Sequence, residues 1–368
     1  MNQKHFWMPG FLFLLLGIGT ANAQTYVIID VPGAGNGKGQ GSFPQNVTDS
    51  GVIFGNYVDA SGVMHGFIRS PAGSYTKFNV SGAGTGNGQG TEPVSINLFG
   101  TITGIYIDSN NVTHGFIRTA EGNITTFDAP GAGTGAGQGA LSYNINLWGE
   151  IGGYYFDSVN RGHGFLRSPY GSFTTFEGPG AGTGPIQGTG SAAGDGLNVE
   201  GAIAGAIIDD NNVLHGYFRQ PDGTFVVIDA PGAGTGPGQG TDTDGINAEY
   251  LVPGPYYDSN GAIHGYIRFP DGTITEFDVP RAGTAASQGT LPEVFNLRGE
   301  VSGPYIDANN VSHGFIRSPN GSITTFDAPG AGTGNGQGTV PGGLNFGGDI
   351  SGNYIDANNA NHGFLRIP

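Results

Sequence analysis

Histidine and aspartate, which can transfer protons or bind metal ions, recur along the chain at fixed positions. Seven histidines stand before Gly-Phe or Gly-Tyr, at spacings of 49, 49, 52, 49, 49 and 49 residues, and an aspartate precedes each of them by six residues. Because a single reactive site would not need seven copies, both sets are interpreted first as structural, and a metal or ligand role of the histidines stays open. The pairs are His65 and Asp59, His114 and Asp108, His163 and Asp157, His215 and Asp209, His264 and Asp258, His313 and Asp307, and His362 and Asp356.

A glycine-rich segment, such as DAPGAGTGNGQGT at 327–339, also recurs in every repeat. Alternating glycines can cradle a phosphate, but a dinucleotide loop is a single turn between one strand and one helix. This chain repeats the segment seven times and has no amphipathic helix pattern beside it. We therefore interpret it as a crossing loop, and we expect the seven glutamines from Gln40 to Gln337 to hydrogen-bond its backbone.

The elements that position these residues are short strands. In the sixth repeat, apolar segments near 294–296, 300–307, 313–317 and 322–327 are separated by glycine, Asn-Asn and Pro-Asn-Gly turn signals. Four strands in 40 to 50 residues are typical of a β-propeller blade. The sequence therefore predicts an all-β fold, a seven-bladed β-propeller with four strands per blade.

The ends of the repeat array predict how the ring closes. Residues 25–31 resemble a fourth strand without the three that should precede it, and the last repeat stops after its third strand. We expect residues 25–31 to complete the blade of residues 340–368, because closure removes exposed sheet edges. An open solenoid is the alternative, and it would require capping repeats that the sequence does not contain.

The repeats resemble a known bacterial family. Ile96-Asn97, the segment GTITG at 100–104 and His114-Gly115-Phe116 follow the layout of the extracellular HAF repeats, with glycine in place of the family's alanine. The likeness covers essentially the whole chain after the leader. It implies a secreted bacterial repeat protein and brings no established activity or catalytic residues.

The Asn309-Asn310 turn predicts a register for the second and third strands of the sixth repeat. A two-residue turn would pair Tyr305 with Gly314, so that the tyrosine ring covers the glycine. It would also place His313 and Asp307 on opposite faces of the sheet. A contact between such groups would then form only across neighbouring repeats.

The N-terminus and the composition bound the location and the partners. Residues 1–23 have the pattern of a secretory signal peptide cleaved after Ala23, which leaves residues 24–368 as one domain, secreted to the periplasm or the medium. No later segment is apolar enough to span a membrane. Loss of Lys4 with the leader changes the net charge from −16 to −17, which argues against nucleic acid and anionic lipid as partners. We expect a monomer without cysteine chemistry.

Function is sought where the repeats differ. Five acids lie ahead of the predicted first strands, close to the expected axis, where other repeats have apolar residues. Carboxylates that converge on a tunnel mouth would repel one another unless they bound a cation such as Ca²⁺, or a cationic or polyhydroxyl ligand. The alternative is a solvated acidic rim. These residues are Glu92, Asp195, Asp242, Asp244 and Glu293.

Two functions remain in competition. The first is a secreted, non-enzymatic binding or scaffold protein that contacts a glycan or a surface protein through the glycine-loop face, where the glycine segments and the Asn-Asn turns emerge. Trp148, the single tryptophan after the leader, is predicted on the opposite face, which argues against repeated sugar sites. The second is a hydrolase or lyase whose axial carboxylates, Asp242, Asp244 and Glu293, act as acid and base. Pro-Asp-Gly turns resemble part of a sialidase Asp box, but no complete catalytic motif supports an enzyme.

Overall fold

The computed structural model describes residues 24–190, 192 and 196–368, and these residues are all β-strand, turn and loop. The leader and its cleavage site after Ala23 lie outside the described residues. In the described part of the chain, no helix has the length and apolar character needed to cross a membrane. The strands of this part form one hydrogen-bonded sheet made of repeated units.

The described residues begin with β1 (Thr25–Ile29) and continue through three regular repeats. Their strands are β2 (Gly41–Val47), β3 (Ile53–Val58), β4 (Met64–Arg69), β5 (Tyr75–Phe78), β6 (Gly90–Ile96), β7 (Ile102–Ile107), β8 (Thr113–Arg118), β9 (Ile124–Phe127), β10 (Gly139–Ile145), β11 (Ile151–Phe156), β12 (Gly162–Arg167) and β13 (Phe173–Phe176). Consecutive strands within each repeat pair antiparallel.

The later repeats keep this order, with shorter first strands in three of them. Their strands are β14 (Gly188–Thr189), β15 (Ile203–Ile208), β16 (Leu214–Arg219), β17 (Phe225–Ile228), β18 (Gly240–Thr241), β19 (Val252–Tyr257), β20 (Ile263–Arg268), β21 (Ile274–Phe277), β22 (Gly289–Thr290), β23 (Val294–Phe295), β24 (Val301–Ile306), β25 (Ser312–Arg317), β26 (Ile323–Phe326), β27 (Gly338–Leu344), β28 (Ile350–Ile355) and β29 (Asn361–Ile367).

Strand β1 closes the ring. It pairs antiparallel with β29, Thr25 opposite Ile367 and Val27 opposite Leu365. The start of β2 also bridges β29, Gly41 to Asn361, in the same parallel geometry that joins β6 to β4. The expectation that the N-terminal strand pairs with the last repeat is therefore confirmed, and the sheet is closed.

The first strands of the repeats form the inner edge of this ring. Strand β2 contacts both β6 and β27, its equivalents on either side. In the fifth repeat, the amides of Asp242 and Asp244 donate to the carbonyls of Pro255 and Pro253 (3.0 and 3.1 Å). Because proline has no N–H to donate in return, the ladder is one-sided there and the regular strand ends at Thr241. A side chain of the same repeat compensates, since the hydroxyl of Tyr266 in β20 donates to the Asp242 carbonyl (2.8 Å).

Aromatic rings hold neighbouring repeats together. The residue after each His-Gly is fully buried, as in Phe116, which meets Phe78 of the preceding repeat at 6.2 Å between ring centroids. The guanidinium of Arg118 lies over the same Phe78 ring at 4.9 Å. The arginines that end the third strands therefore cover inter-repeat aromatic contacts, and the Arg118 Nη1 also donates to the Thr119 carbonyl (3.1 Å).

The predicted register between β24 and β25 is wrong by one residue. Tyr305 pairs with His313, and Pro304 pairs with Gly314. The turn is longer than two residues, because Asn310 (φ 60°) follows a type I turn in the left-handed region and donates its amide to the Asp307 carbonyl (3.0 Å). Tyr305 consequently stacks on His313, with 4.9 Å between centroids, and does not cover the glycine.

Gly314 is required by a different ring. A Cβ at this position would lie 2.5 Å from the Phe326 ring of the next strand. We expect Gly314→Ala to destabilise the protein by about 1–3 kcal/mol through overpacking. Chemical denaturation should show this loss, and Phe326→Leu in the same chain should restore part of it. Gly190→Ala is the control, because a Cβ at Gly190 would lie 3.5 Å from its nearest neighbour, the Ala206 carbonyl oxygen. Equal stability of the Gly314 and Gly190 variants would contradict the explanation.

The closure also predicts a cross-link. The chain has no cysteine, so Val27→Cys with Leu365→Cys introduces one defined pair at opposed positions of β1 and β29. Oxidation should give an intramolecular disulfide that raises the free energy of unfolding by about 2–5 kcal/mol, since the closed loop is long. Non-reducing electrophoresis and denaturation measure both effects. Disulfide-linked dimers in place of a cross-linked monomer would indicate an open array.

Candidate functional site

The repeated histidines lie between two polar side chains of their own repeat. His114 Nδ1 is 2.8 Å from Asp128 Oδ1, and its Nε2 is 3.8 Å from Asp108 Oδ2. The same arrangement occurs in the other repeats, with Asn79 in place of the outer acid in the first. The expectation that aspartate and histidine lie on opposite faces was therefore wrong, because it depended on the shifted register.

The repeated aspartates cap the turn between the second and third strands. Asp108 Oδ1 accepts hydrogen bonds from the amides of Asn110 and Val112 (2.8 Å each). Burial alone would raise the pKa of Asp108, but these bonds and the nearby His114 lower it below its ordinary value. The carboxylate is thus held in its charged form by bonds within its own hairpin.

The glycine loops are held by their glutamines, as the sequence predicts. Gln138 Oε1 accepts the Gly135 amide (2.8 Å), and Gln138 Nε2 donates to Asn160 of the next repeat (3.0 Å). All seven loops have the first of these bonds. The loop amide that could have bound an anion donates instead to a side chain of the same loop.

Three of the candidate acids lie within electrostatic range of one another at the inner edge of the ring. Asp242, Asp244 and Glu293 keep partial contact with solvent although protein surrounds most of each side chain. Burial raises the pKa of Asp242 to about 6 and that of Glu293 to about 7. Burial, together with the charges of Asp242 and Glu293, raises the pKa of Asp244 well above its ordinary value. Protonation therefore relieves the repulsion among these groups.

The other two candidate acids do not join this group. Glu92 lies near Gln45, with 3.5 Å between Gln45 Nε2 and the carboxylate, and burial raises its pKa. Asp195 lies outside the described residues. Within the described ranges, no set of three or more His, Asp or Glu side chains converges on a point that a metal ion could occupy. The described acids therefore do not fit the expected Ca²⁺ site.

A groove on the opposite face of the ring combines an aromatic ring with carboxylates. Trp148 lies in the turn between β10 and β11 and is 63% exposed. Its indole Nε1 donates to the Val199 carbonyl of the next repeat (3.0 Å), which fixes the ring while leaving it open to solvent. With Glu150, Pro169 and Glu200 it lines a cavity of about 550 Å³.

Hydrogen bonds also orient one carboxylate of this groove. Glu150 Oε2 accepts from Asn146 Nδ2 (2.8 Å), and Asn146 in turn donates to the Asn198 carbonyl of the next repeat (3.2 Å). Equivalent asparagines link other neighbouring turns, as Asn97 does to Asn146 (3.3 Å). The turns that carry Trp148 and Glu200 are thus fixed relative to each other.

The groove extends into a second cavity of about 220 Å³. Glu150 and Glu200 line both cavities, and the second is bounded by Arg167, Arg219, Ser168, Ser172, Thr174 and Pro221 among others. In the described part of the chain, the one ion pair between an arginine and an acid joins Arg161 to Glu177. The arginines and glutamates of the groove are therefore not paired with one another.

The sequence reasoning missed this groove. It treated Trp148 only as an argument against repeated sugar sites and assigned no role to Glu150 or Glu200. The available signal was asymmetry: the position of Trp148 holds Phe99, Glu200, Glu249 or Arg298 in other repeats. The residues that differ between repeats form one site only because the fold places two consecutive repeats side by side.

Comparisons with known proteins support the fold. No family model matches the chain, and no curated protein matches it. Among solved structures it is similar to the BP39L lectin of Burkholderia pseudomallei, with a TM-score of 0.53 and 10% identity over 91% of this chain and 98% of that one. It is also similar to a puromycin hydrolase, with a TM-score of 0.52 and 12% identity over 86% of this chain. The match spans 50% of the hydrolase chain, about half its length.

The raised pKa values of the inner acids predict a pH-dependent stability. A carboxyl whose folded pKa lies above its unfolded value stabilises the fold fully below about pH 4, and this contribution is lost as the pH rises through 6 to 7. Glu293→Gln should therefore stabilise the protein at pH 8 by about 1–2 kcal/mol, a value reduced for partial solvent contact, and have little effect at pH 4.

Urea denaturation of the wild type and of Glu293→Gln between pH 4 and 8 measures the difference in their free energies of unfolding. Asp307→Asn is the control with the opposite sign, because hydrogen bonds to Val311 and Asn309 outweigh burial and lower the pKa of Asp307. It should weaken the protein most near neutral pH. A Glu293→Gln difference that does not change with pH would contradict the prediction.

Proposed function

We propose that this protein is a secreted, non-enzymatic carbohydrate-binding protein whose ligand lies on Trp148. The observation that carries the proposal is the groove in which an exposed, oriented indole ring stands beside the carboxylates of Glu150 and Glu200. The two walls belong to neighbouring repeats, so the site depends on the closed, rigid sheet. Its volume, about 550 Å³, is in the range of small-molecule pockets.

The chemistry of the groove fits a sugar. The C–H face of a pyranose packs against an aromatic ring, and its hydroxyls donate to carboxylate oxygens. Trp148 and Glu150 are held by hydrogen bonds to Val199 and Asn146, so little side-chain entropy is lost when a ligand binds. A lectin among the structures of similar fold supports carbohydrate as the ligand class, although the likeness itself extends to the fold alone.

The glycine-loop face is a poorer candidate for the ligand. Its repeated polar groups already have partners: His114 is held by Asp128, Asp108 by the amides of its turn, and Gln138 by its own loop. A ligand there would have to break these bonds before forming its own. We therefore assign the ligand to the face that carries Trp148, while protein partners on the glycine-loop face stay an alternative.

The proposal includes the division of the sheet into blades. We infer seven blades of four strands, with β1 as the fourth strand of the last blade, on the basis of the recurring antiparallel order and the closing pair of β1 and β29. We also infer that the repeats are of the HAF type. Secretion to the periplasm or the medium after cleavage at Ala23 follows from the leader sequence.

An enzymatic site at the inner edge is the second candidate. Asp242 and Glu293, with pKa values raised to about 6 and 7, would exchange protons near neutral pH, as a general acid or base must. Such a hydrolase or lyase would lose activity in Asp242→Asn and Glu293→Gln and keep it in Trp148→Ala. Turnover of any glycan by the wild type that follows this pattern would favour the enzyme over the binding protein.

A glycan array followed by calorimetry tests the proposed binding. Trp148→Ala should reduce affinity for the glycans bound by the wild type by about a hundredfold, because it removes the stacking surface. Phe99→Ala is the matched control, since Phe99 occupies the same turn position one repeat earlier and is 68% exposed. Binding that survives in Trp148→Ala would remove the groove from the proposal.

A second pair of matched variants separates the effect of a carboxylate charge on binding from an effect on folding. Glu150 and Glu300 accept the same hydrogen bond from an asparagine four residues earlier, at 2.8 and 2.7 Å. Glu150→Gln should weaken glycan binding about tenfold, while Glu300→Gln should not, although both variants replace a carboxylate by a neutral acceptor for the same local bond. Equal affinity of the two variants would show that the Glu150 carboxylate takes no part in binding.

A further inference from the structure

The two cavities beside Trp148 form one continuous groove. Glu150 and Glu200 line both, so a ligand that fills the first cavity reaches the second without leaving the protein surface. Trp148 lines only the first cavity, whereas Arg219 and Pro221 of the fourth repeat line only the second. A ligand of one sugar unit would occupy only the first.

The charges along the groove select against a charged ligand. The guanidinium groups of Arg167 and Arg219 and the carboxylates of Glu150 and Glu200 line the second cavity together, and they are not paired with one another. An anionic ligand would meet two carboxylates, and a cationic ligand would meet two guanidiniums. Hydroxyl groups both donate and accept, so a neutral polyhydroxyl chain can bond to both kinds of side chain.

The arginines are held in place before any ligand binds. Arg219 lies over the Phe176 ring at 5.1 Å and donates from Nη1 to the Gln220 carbonyl (3.2 Å). Arg167 lies over Phe127 at 4.9 Å and donates to the Ser168 carbonyl (3.2 Å). Each guanidinium has five N–H donors, and its bond to the neighbouring carbonyl comes from Nη1, so terminal N–H groups remain for a ligand, whereas Nε of Arg167 is buried. Fixed donors of this kind give affinity at low entropic cost.

We propose that the groove binds a neutral oligosaccharide of at least two sugar units, the first stacked on Trp148 and the second bonded by Arg219. The inference rests on the proposed carbohydrate-binding function and names the length and charge of its ligand. Affinity should therefore increase about tenfold or more from monosaccharide to disaccharide, through charge-assisted hydrogen bonds to the second unit.

Two variants change only the second cavity, where the second sugar unit would bind. Arg219→Gln removes the guanidinium, and its control is Arg268→Gln, because Arg268 has the same contacts outside the groove, 5.1 Å from the Phe218 ring and 3.1 Å from the Phe269 carbonyl. Thr174→Phe fills the second cavity from an exposed strand position that tolerates a large aromatic residue. Its control is Thr125→Phe, the equivalent position of β9.

Calorimetry with mono-, di- and trisaccharides built from glucose, galactose, mannose, xylose, N-acetylglucosamine or galacturonic acid gives the decisive ratio. For at least one neutral series, we expect the affinity ratio of disaccharide to monosaccharide to be about ten or more, and to fall towards one in Arg219→Gln and Thr174→Phe but not in their controls. Equal affinity for all lengths, an unchanged ratio in both variants, or a preference for the acidic series would overturn the inference and leave the proposed function standing. No binding by any series would overturn both.

Discussion

One of the hydrogen bonds that join neighbouring repeats has a geometry that only glycine permits. The first amide of a repeat's third strand donates to the carbonyl of the loop glutamine that follows, as Thr113 does to Gln138 (2.9 Å). The next residue, Gly139, has φ 114°, and a Cβ there would overlap the Thr113 carbonyl. The same junction occurs seven times among the described residues, and the bond from Asn361 to Gln40 (2.8 Å) closes the ring between its two ends. Each of the other six bonds of this kind joins two repeats that are consecutive in the sequence.

This junction explains why the repeated polar residues are structural. The glutamine that offers its carbonyl to the neighbour also holds its own loop through its side chain, and the turn that it reaches is capped by the repeated aspartate. Each of these groups has a partner within the protein, so changing any of them affects the ring before it affects a ligand. The proposed binding site consequently lies where the repeats differ, in the turns beside Trp148.

The sequence predicted the repeated parts of the structure better than the single ones. Periodic turn signals were sufficient for the all-β sheet, the loop glutamines and the pairing of residues 25–31 with the last repeat. The register of β24 and β25 was missed because Asn309-Asn310 can form either a two-residue turn or a type I turn with a left-handed residue, and only Asn310 has a positive φ. The groove was missed because Trp148 and Glu200 lie 52 residues apart and meet only when two repeats are side by side. The structure places Asp244 within electrostatic range of Asp242 and Glu293 and places Glu92 beside Gln45. The spacing of these acids depends on the curvature of the ring, which no local pattern contains.

A crystal structure of the protein with its tightest-binding glycan tests the account most directly, because it reports where the ligand lies. The account predicts a single sugar chain per molecule, with one ring parallel to the Trp148 indole and the chain continuing past Glu150 towards Arg219. Density repeated around the glycine loops, beside His114 and its equivalents, would show that the sevenfold groups bind the ligand after all. Density at the inner edge against Asp242 and Glu293 would equally contradict the account and would favour an enzyme.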